Sequence, residues 1–255
     1  MGSKNRLIKT AAEIETIARA GKILRATLER LSAEAKPGVT LAALDKLARA
    51  MIEANGGEPA FLNYQPYGAE KAFPATICAS VNDIVVHGLP TKYALKKGDI
   101  LSIDCGVRIN GWYSDAAVTI AIGPVPARVR ALISVTEEAL NRGIAAAVAG
   151  NTVGDIGHAI GSYIKENDFF VVKGLTGHGV GTALHEDPSI FNEGQPGAGM
   201  TLQPGMVIAI EPMVAIGTGR VEQLDDDSFA TADGSLSAHF EKTIAITADG
   251  TRILT

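Results

Sequence analysis

The 255-residue chain has little cysteine, no excess of positive charge and no long hydrophobic run. Cys78 and Cys105 are its only cysteines, which argues against a secreted disulfide scaffold and suits a reducing compartment. A net charge of −5, with no basic run beyond Lys96 and Lys97, argues against a nucleic-acid partner. No window reaches the roughly 18 uninterrupted apolar residues of a membrane helix, and the N-terminus lacks an apolar signal segment. The sequence therefore predicts a cytoplasmic protein with neither a membrane nor a specific nucleic acid as partner.

Helical and strand patterns alternate in blocks along the chain. The first helical pattern runs from Ile14 to Leu31 and is stopped by Lys36-Pro37-Gly38, and the second begins after Thr40, a residue type that caps helix N-termini. Further helices are predicted over 127–149 and 153–167, and strands rich in β-branched residues over 100–122, 205–216 and 238–247. This order predicts an α+β fold.

Two segments of the chain resemble each other. LKKGDILSIDCGV (95–107) aligns without a gap to LQPGMVIAIEPMV (202–214), and Asp104 then coincides with Glu211 at the end of an apolar strand. Chance likeness over thirteen residues is the alternative, but a true duplication related by a pseudo-two-fold axis would bring the two acids together. We therefore expect an N-terminal tail (1–9) and a single domain (10–255) made of two halves, about 10–123 and 124–255.

A predicted hairpin places two aspartates on one face of a sheet. Asn110-Gly111 is a strong signal for a two-residue turn, so residues whose numbers sum to 221 pair and Asp115 lies opposite Gly106. Asp104 and Asp115 then point the same way, roughly 7 Å apart at the backbone, because side chains two apart share a face. Cys105 points to the opposite, packed face and is interpreted as a core thiol.

Two converging carboxylates on an apolar surface are costly unless a cation lies between them. The alternatives are solvated acids at a hairpin edge, or one acid paired with Arg108. The second half of the chain adds Glu211, Glu241 in an alternating strand, and His178 in a glycine-rich loop. Four carboxylates and one imidazole suit a pair of divalent ions such as Mn²⁺, Fe²⁺, Co²⁺ or Zn²⁺ better than they suit a thiolate zinc site.

The glycine-rich loop TGHGVGTALHEDP (176–188) carries both His178 and His185. It lacks the Lys-Ser/Thr pair of a phosphate-binding loop, so its glycines are better explained by close backbone approach beside a metal site. The two histidines with one carboxylate could instead form an iron-oxygenase site, which would leave the other acids unexplained. His158 lies in a helical stretch without other ligand-like residues, where a packing or surface role is expected.

Five stretches together resemble the type I methionine aminopeptidases, in the order and close to the spacing of that family. They are NDIVVHGLP (82–90), SIDCGVRINGWYSDAAVT (102–119), GHGVGTALHEDP (177–188), IEPM (210–213) and SLSAHFEKT (235–243). The likeness extends from about residue 10 to the C-terminus. It implies the "pita bread" fold, in which a pseudo-symmetric central antiparallel sheet carries helices on one side.

The resemblance also implies roles for individual residues. Two divalent ions (Co, Mn, Fe or Zn) would be bound by Asp104, Asp115, His178, Glu211 and Glu241, with Asp115 and Glu241 bridging. Glu211 would also handle protons for an attacking metal-bound water, while His87 and His185 would contact the substrate near the scissile bond. Tyr64, Tyr67 and Cys78 resemble residues that line the methionine pocket, although packing aromatics are the other interpretation of the tyrosines.

The implied activity is removal of the initiator methionine from nascent polypeptides, chiefly when the second residue is small. A monomer is expected, with the ribosome as one place to meet the substrate. The alternatives are a prolidase or Xaa-Pro aminopeptidase, which usually carries a further N-terminal domain, and a non-catalytic binding module, which would have lost metal ligands. The type II enzymes carry a helical insertion, for which the 32 residues of segment 179–210 leave no space.

Several positions depart from the family pattern, among them an acidic run and a histidine. Asp225-Asp226-Asp227 stands where an aromatic residue is usual, which alters the expected charge of the substrate mouth. His239 stands where glutamine is usual, two residues before Glu241 and on the same face. His239 could orient a metal ligand or could itself be an additional ligand, and both interpretations are open.

Overall fold

The computed structural model describes residues 7–65 and 71–255, and in that part of the chain four helices and fifteen strands confirm the α+β fold. The helices are α1 (Ala11–Glu34), α2 (Leu41–Ala54), α3 (Ala127–Ala146) and α4 (Val153–Glu166). The strands are β1 (Glu58–Pro59), β2 (Ile77–Val81), β3 (Ile84–Val86), β4 (Ile100–Ile109), β5 (Trp112–Ala121), β6 (Phe170–Val171), β7 (Gly177–Gly179), β8 (Glu186–Ile190), β9 (Val207–Ile210), β10 (Met213–Ala215), β11 (Val221–Gln223), β12 (Phe229–Thr231), β13 (Ser237–His239), β14 (Lys242–Thr247) and β15 (Gly250–Ile253). None of the described helices combines the length and the apolar character needed to cross a membrane.

The helices begin and end where side chains satisfy their free backbone groups. At the start of α1, the Thr10 side chain accepts from the Glu13 N–H, while the Glu13 carboxylate accepts from the Thr10 N–H at 2.7 Å. Thr40 caps α2 as predicted. Helix α3 ends three residues earlier than predicted, where the Asn151 side chain donates to the Ala146 carbonyl at 2.8 Å and so replaces a helical bond.

The predicted β4–β5 hairpin is confirmed with its register. Gly106 pairs with Asp115 and Asp104 pairs with Ala117, so both aspartates lie on one face of the sheet. The opposite face of β4 packs against α1 and α2, and Cys105 is fully buried there, as expected for a core thiol. Helices therefore cover one side of this hairpin and leave the other side to the carboxylates.

Asp104 lies in the middle of β4 rather than at a strand end, which corrects the sequence expectation. Strand β4 continues to Ile109 because its second half pairs with both β1 and β5. Glu211, by contrast, directly follows β9. The two acids therefore enter the same region from strands that differ in length.

The prediction of two continuous strands in the second half was wrong, because each is interrupted. Segment 205–216 breaks between β9 and β10, where Pro212 has no N–H to donate to a ladder. Segment 238–247 breaks at Phe240 and Glu241, and the Glu241 backbone instead exchanges hydrogen bonds of 3.0 and 3.4 Å with Ala117 of β5. Ala117 therefore pairs with Asp104 on one side and with Glu241 on the other, and the two halves of the chain meet at this residue.

The hydrophobic core is distributed over both halves. One large cluster packs α1 and α2 against β2, β4 and β5, and the other packs α3 and α4 against β9, β10, β13 and β14. The division at about residue 123 stays a prediction, which this distribution supports. Ile8 bridges to Met206 and Lys9 is buried, so the last two residues of the expected tail contact the body of the domain.

Candidate metal centre and substrate pocket

The five predicted ligands converge where the two halves meet. Asp104 and Asp115 come from β4 and β5, His178 from β7, Glu211 from the end of β9 and Glu241 from the start of β14. Ligand atoms of the set Asp104, Asp115 and Glu241 lie within 4.8 Å of one another, as do those of the set His178, Glu211 and Glu241. Glu241 belongs to both sets, so the structure forms two adjoining clusters of potential ligands.

The orientation of His178 leaves one ring nitrogen free to bind a metal. Its Nδ1 donates to the Gly179 carbonyl at 2.9 Å, because a carbonyl can only accept, and Nε2 therefore carries the lone pair. That Nε2 lies 3.5 Å from Glu211 Oε1 and 3.9 Å from Asp115 Oδ2. A side chain at Gly177 or Gly179 would come within 2.4 Å of backbone oxygens of neighbouring strands, so the predicted close backbone approach is present.

The carboxylates repel one another in a desolvated site. Burial, partly offset by neighbouring histidines, raises the pKa of Asp104 and of Glu211 to about 7. Burial and the neighbouring acids raise the pKa of Asp115 and Glu241 well above their ordinary values. Arg108 does not relieve this repulsion, because it pairs with Glu58 at 3.1 Å on the surface. The interpretations as solvated acids or as an Arg108 pair are therefore excluded.

Unpaired oxygen atoms show that this donor set fits a divalent cation. Asp104 Oδ1, Asp115 Oδ1 and Glu241 Oε1 are buried and have no hydrogen-bond partner among the described residues. Buried acceptors are costly when unpaired, and oxygen donors with one imidazole are ligands that Mn²⁺, Fe²⁺, Co²⁺ and Zn²⁺ accept. The site thus has the chemistry and the unsatisfied atoms of a metal centre.

His185 lies directly beside this centre. Its ring contacts that of His178 edge-on, with 4.3 Å between centroids, and its Nδ1 is 2.7 Å from the Tyr64 hydroxyl. Partial burial and the neighbouring imidazoles of His178 and His87 lower the pKa of His185 to about 3. A neutral ring whose Nδ1 accepts from Tyr64 O–H presents Nε2–H as a donor.

An apolar cluster adjoins His185 and contains two of the predicted pocket residues. Cys78 and Tyr64 pack there with Phe61 and Leu184, and Cys78 is the register partner of Asp104. Phe61 and Leu184 were not predicted, although Leu184 precedes His185 in the sequence. Tyr67 lies outside the described residues.

His87 lies near both His185 and His239. It follows β3 with a φ of 61°, and its ring meets that of Phe229 edge-on at 5.8 Å. Partial burial, and after it the neighbouring His239, lower the pKa of His87. The backbone of Asp227, the last residue of the acidic turn 225–227, lies beside the same ring.

His239 contacts Glu211, on the oxygen that faces away from His178. Its Nε2 lies 3.5 Å from Glu211 Oε2 and has no hydrogen-bond partner in the described part of the chain, although the side chain is only 2% exposed. Burial lowers the pKa of this histidine, with Asp104 opposing the effect. The Thr119 hydroxyl holds the His239 backbone by accepting from its N–H at 2.8 Å and donating to its carbonyl at 2.7 Å.

Several residues that hold the ligands could not be found from the sequence. The Thr243 hydroxyl accepts from the Asp115 N–H at 2.9 Å and donates to the Asp115 carbonyl at 2.7 Å. Asn192 donates to the Glu211 carbonyl at 3.0 Å. Threonine is common in strands and asparagine in loops, so neither residue type carries a signal of its own. His158 is exposed on α4, as expected.

Comparison with known proteins assigns this site to a family. The family model of metallopeptidase family M24 matches residues 15–248, a range that contains all five predicted ligands. The chain belongs to metallopeptidase family M24. Among similar proteins, a methionine aminopeptidase of Clostridium perfringens is 46% identical over 250 residues, covering 98% of each chain. One of Mycobacterium tuberculosis, named methionine aminopeptidase 1, is 45% identical over 97% of this chain and 94% of its own length.

Solved structures agree with this assignment. The methionine aminopeptidase of Thermotoga maritima superposes with a TM-score of 0.93 at 42% identity, over 97% of this chain and 98% of that one. The prolidase of Pyrococcus furiosus gives a TM-score of 0.78 at 26% identity, over 98% of this chain and 65% of that one. The predicted resemblance and the pita-bread fold are therefore confirmed, and the prolidase alternative has less support.

Two further alternatives lose their basis. Asp115, His178 and His185 do form a compact group of the kind an iron oxygenase uses, but the family is one of metallopeptidases and three acids would remain unused. A non-catalytic module would have lost metal ligands, whereas all five are present and together.

Proposed function

We propose that the chain is a metal-dependent methionyl aminopeptidase that removes the N-terminal methionine of polypeptides when the second residue is small. The observation that carries this proposal is the convergence of the five ligands beside an apolar cluster and two histidines. The side chain of an N-terminal methionine can pack against the apolar cluster while the free amine of that residue faces the carboxylates. Such a site recognises the first residue of a chain and leaves the remainder outside.

The two overlapping clusters support two metal ions. Asp104, Asp115 and Glu241 would hold one ion, and His178, Glu211 and Glu241 the other, with Glu241 common to both sets. We expect Mn²⁺, Fe²⁺, Co²⁺ or Zn²⁺ to be accepted. When bound, the ions supply an activated water and polarise the scissile carbonyl.

Glu211 and residues beside the ligands would transfer protons and stabilise the negative charge that develops during the reaction. Glu211, which lies 3.5 Å from both His178 and His239, would take up and return a proton during the reaction. His185 presents Nε2–H to the oxygen that gains negative charge, and the Tyr64 hydroxyl holds that tautomer. His87 would contact the substrate near the scissile bond, and Cys78, Tyr64 and Tyr67 would line the methionine pocket.

The setting of the reaction follows from its substrate. Nascent polypeptides begin with methionine, so we propose action in the cytoplasm, with the ribosome as one place of encounter. We also propose a monomer, since both ligand clusters are complete within one chain. Neither a membrane nor a specific nucleic acid is required.

Peptide selectivity tests the proposed activity. Protein reconstituted with Co²⁺ or Mn²⁺ is incubated with Met-Ala-Ser, Met-Arg-Ser and Leu-Pro-Ser, and the products are analysed by mass spectrometry. Methionine should be released from Met-Ala-Ser only, because a long second side chain collides with the wall of the site. Preferential cleavage of Leu-Pro-Ser would instead indicate an Xaa-Pro aminopeptidase.

A His185→Ala variant separates substrate contact from metal binding. We expect a loss in kcat of about 10²-fold, typical of one removed oxyanion donor. Metal content by elemental analysis should stay unchanged, because His178 and the four carboxylates remain. Loss of metal from the variant would show that His185 is a ligand.

A further inference from the structure

A buried ion pair connects the N-terminal segment to the loop that carries His185. Lys9 Nζ lies 2.7 Å from Glu186 Oε2, and both side chains are only 2% exposed. Lys9 is itself fixed, since its N–H donates to the Gly205 carbonyl at 2.8 Å. Burying two charges has a high desolvation cost, so a pair of this kind calls for an explanation beyond stability.

The second oxygen of Glu186 holds the turn that precedes it. Glu186 Oε1 accepts from the N–H of Thr182 at 2.7 Å and from the N–H of Ala183 at 3.1 Å. Leu184 of the apolar cluster and His185 follow directly in the chain. One carboxylate thus binds the ammonium group with one oxygen and the backbone on the N-terminal side of His185 with the other.

Gly181 makes room for this arrangement. A side chain there would lie 2.6 and 2.7 Å from the two Glu186 oxygens and 2.7 Å from Lys9 Cε. The Gly181 carbonyl accepts from the Tyr113 N–H at 2.9 Å, which ties the turn to the strand of Asp115. The turn 181–186 is therefore held from the N-terminal segment, from Glu186 and from β5.

We propose that Lys9 and Glu186 are positioning residues that hold the turn 181–186 so that His185 faces the substrate. The inference rests on the role of His185 under the proposed function. Lys9 binds one oxygen of Glu186 and directs it away from the turn, which leaves the other oxygen for the two backbone N–H groups. An amide could not replace this carboxylate, because its single oxygen cannot serve both Lys9 and the turn.

A Glu186→Gln variant tests the proposal. We expect kcat for Met-Ala-Ser to fall about 10²-fold, as for a displacement of about 1 Å at a reacting group, with the metal content unchanged. The double variant Lys9→Met/Glu186→Gln should recover most of the lost kcat, because the amide oxygen then accepts from the turn alone. Glu15→Gln, in the exposed pair with Arg252, is the matched control and should retain full activity.

A double-mutant cycle with His185→Ala separates positioning from a general structural role. If Glu186 acts through His185, adding Glu186→Gln to His185→Ala causes little further loss of kcat. Losses of kcat that multiply in the double variant, or full activity in Glu186→Gln, would overturn the inference. Unchanged activity of His185→Ala alone would refute the proposed role of His185 instead. If Glu186→Gln does not fold, Gly181→Ala serves the same cycle, and full kcat in the folded Gly181→Ala protein would overturn the inference.

Discussion

A Glu211→Gln variant is expected to release methionine about 10³-fold more slowly than the unmodified chain, within the range for loss of a general base. Glu211 lies between His178 and His239, 3.5 Å from each, and its carboxylate would accept a proton from the attacking water. Glutamine keeps the shape and one ligand oxygen, but it cannot take up a proton. The loss should therefore appear in kcat rather than in KM.

The measurement is kcat for Met-Ala-Ser at saturating Co²⁺, with the metal content of each sample determined by elemental analysis. Glu53→Gln, on the exposed face of α2, is the matched control and should retain full activity. An active Glu211→Gln variant, within tenfold of the control, would assign the proton transfer to another group. If the variant loses its metal, its activity is measured again at a higher Co²⁺ concentration. Activity that returns there would show that Glu211 acts in metal binding rather than in catalysis.

Metal-free protein is expected to become less stable as the pH rises from about 6.5 to 8, and divalent metal should remove most of this dependence. The pKa of Asp104 and Glu211 is raised to about 7, and that of Asp115 and Glu241 is raised well above its ordinary value. The unfolded chain has already lost these protons at pH 6.5, whereas the folded protein still binds them. Folded protein therefore binds more protons, and stability falls as the carboxyls ionise against one another.

Between pH 6.5 and 8, the expected change in stability comes from the carboxylates and not from the histidines. His87, His185 and His239 have lowered pKa values and act in the opposite direction, but only below about 6.5, the ordinary histidine pKa. Each raised carboxyl can contribute a slope of up to about 1.4 kcal/mol per pH unit, so a loss of a few kcal/mol is expected by pH 8.

Denaturant unfolding at pH 6.5 and pH 8, with chelator and with Mn²⁺, measures the effect. The stabilisation by Mn²⁺ should be larger at pH 8, since metal ions compete with protons for the ligands. Glu241→Gln removes one of the acids and should make the pH dependence of the metal-free protein weaker. A metal-free protein that is equally stable at both pH values would contradict the assigned burial and repulsion of these groups.

The local part of the site could be predicted from the sequence, and the long-range part could not. Asn110-Gly111 determines the register of the hairpin, and the two-residue period of a strand then places Asp104 beside Asp115. The break at Glu241 depends on pairing with Ala117 in the other half, for which no local pattern exists. His178, Glu211 and Glu241 were placed by the internal likeness and the family motifs rather than by periodicity.

Contacts that orient the ligands were the hardest to anticipate. Lys9 lies in what the sequence predicted to be a tail, 177 positions from Glu186, and only the folded chain brings them together. His239 was recognised as unusual, but its contact with Glu211 rather than with the nearby Glu241 follows from the strand break between them. Side-chain partners of this kind depend on tertiary packing, which carries no sequence period.

Titration of the metal-free protein with Co²⁺, with methionine release from Met-Ala-Ser followed in the same samples, tests whether methionine release depends on metal bound at this site. We expect no release without metal, and release that rises with bound Co²⁺ in the unmodified chain. Glu211→Gln should bind Co²⁺ without comparable release. Full methionine release by the metal-free protein would show that the activity does not depend on metal.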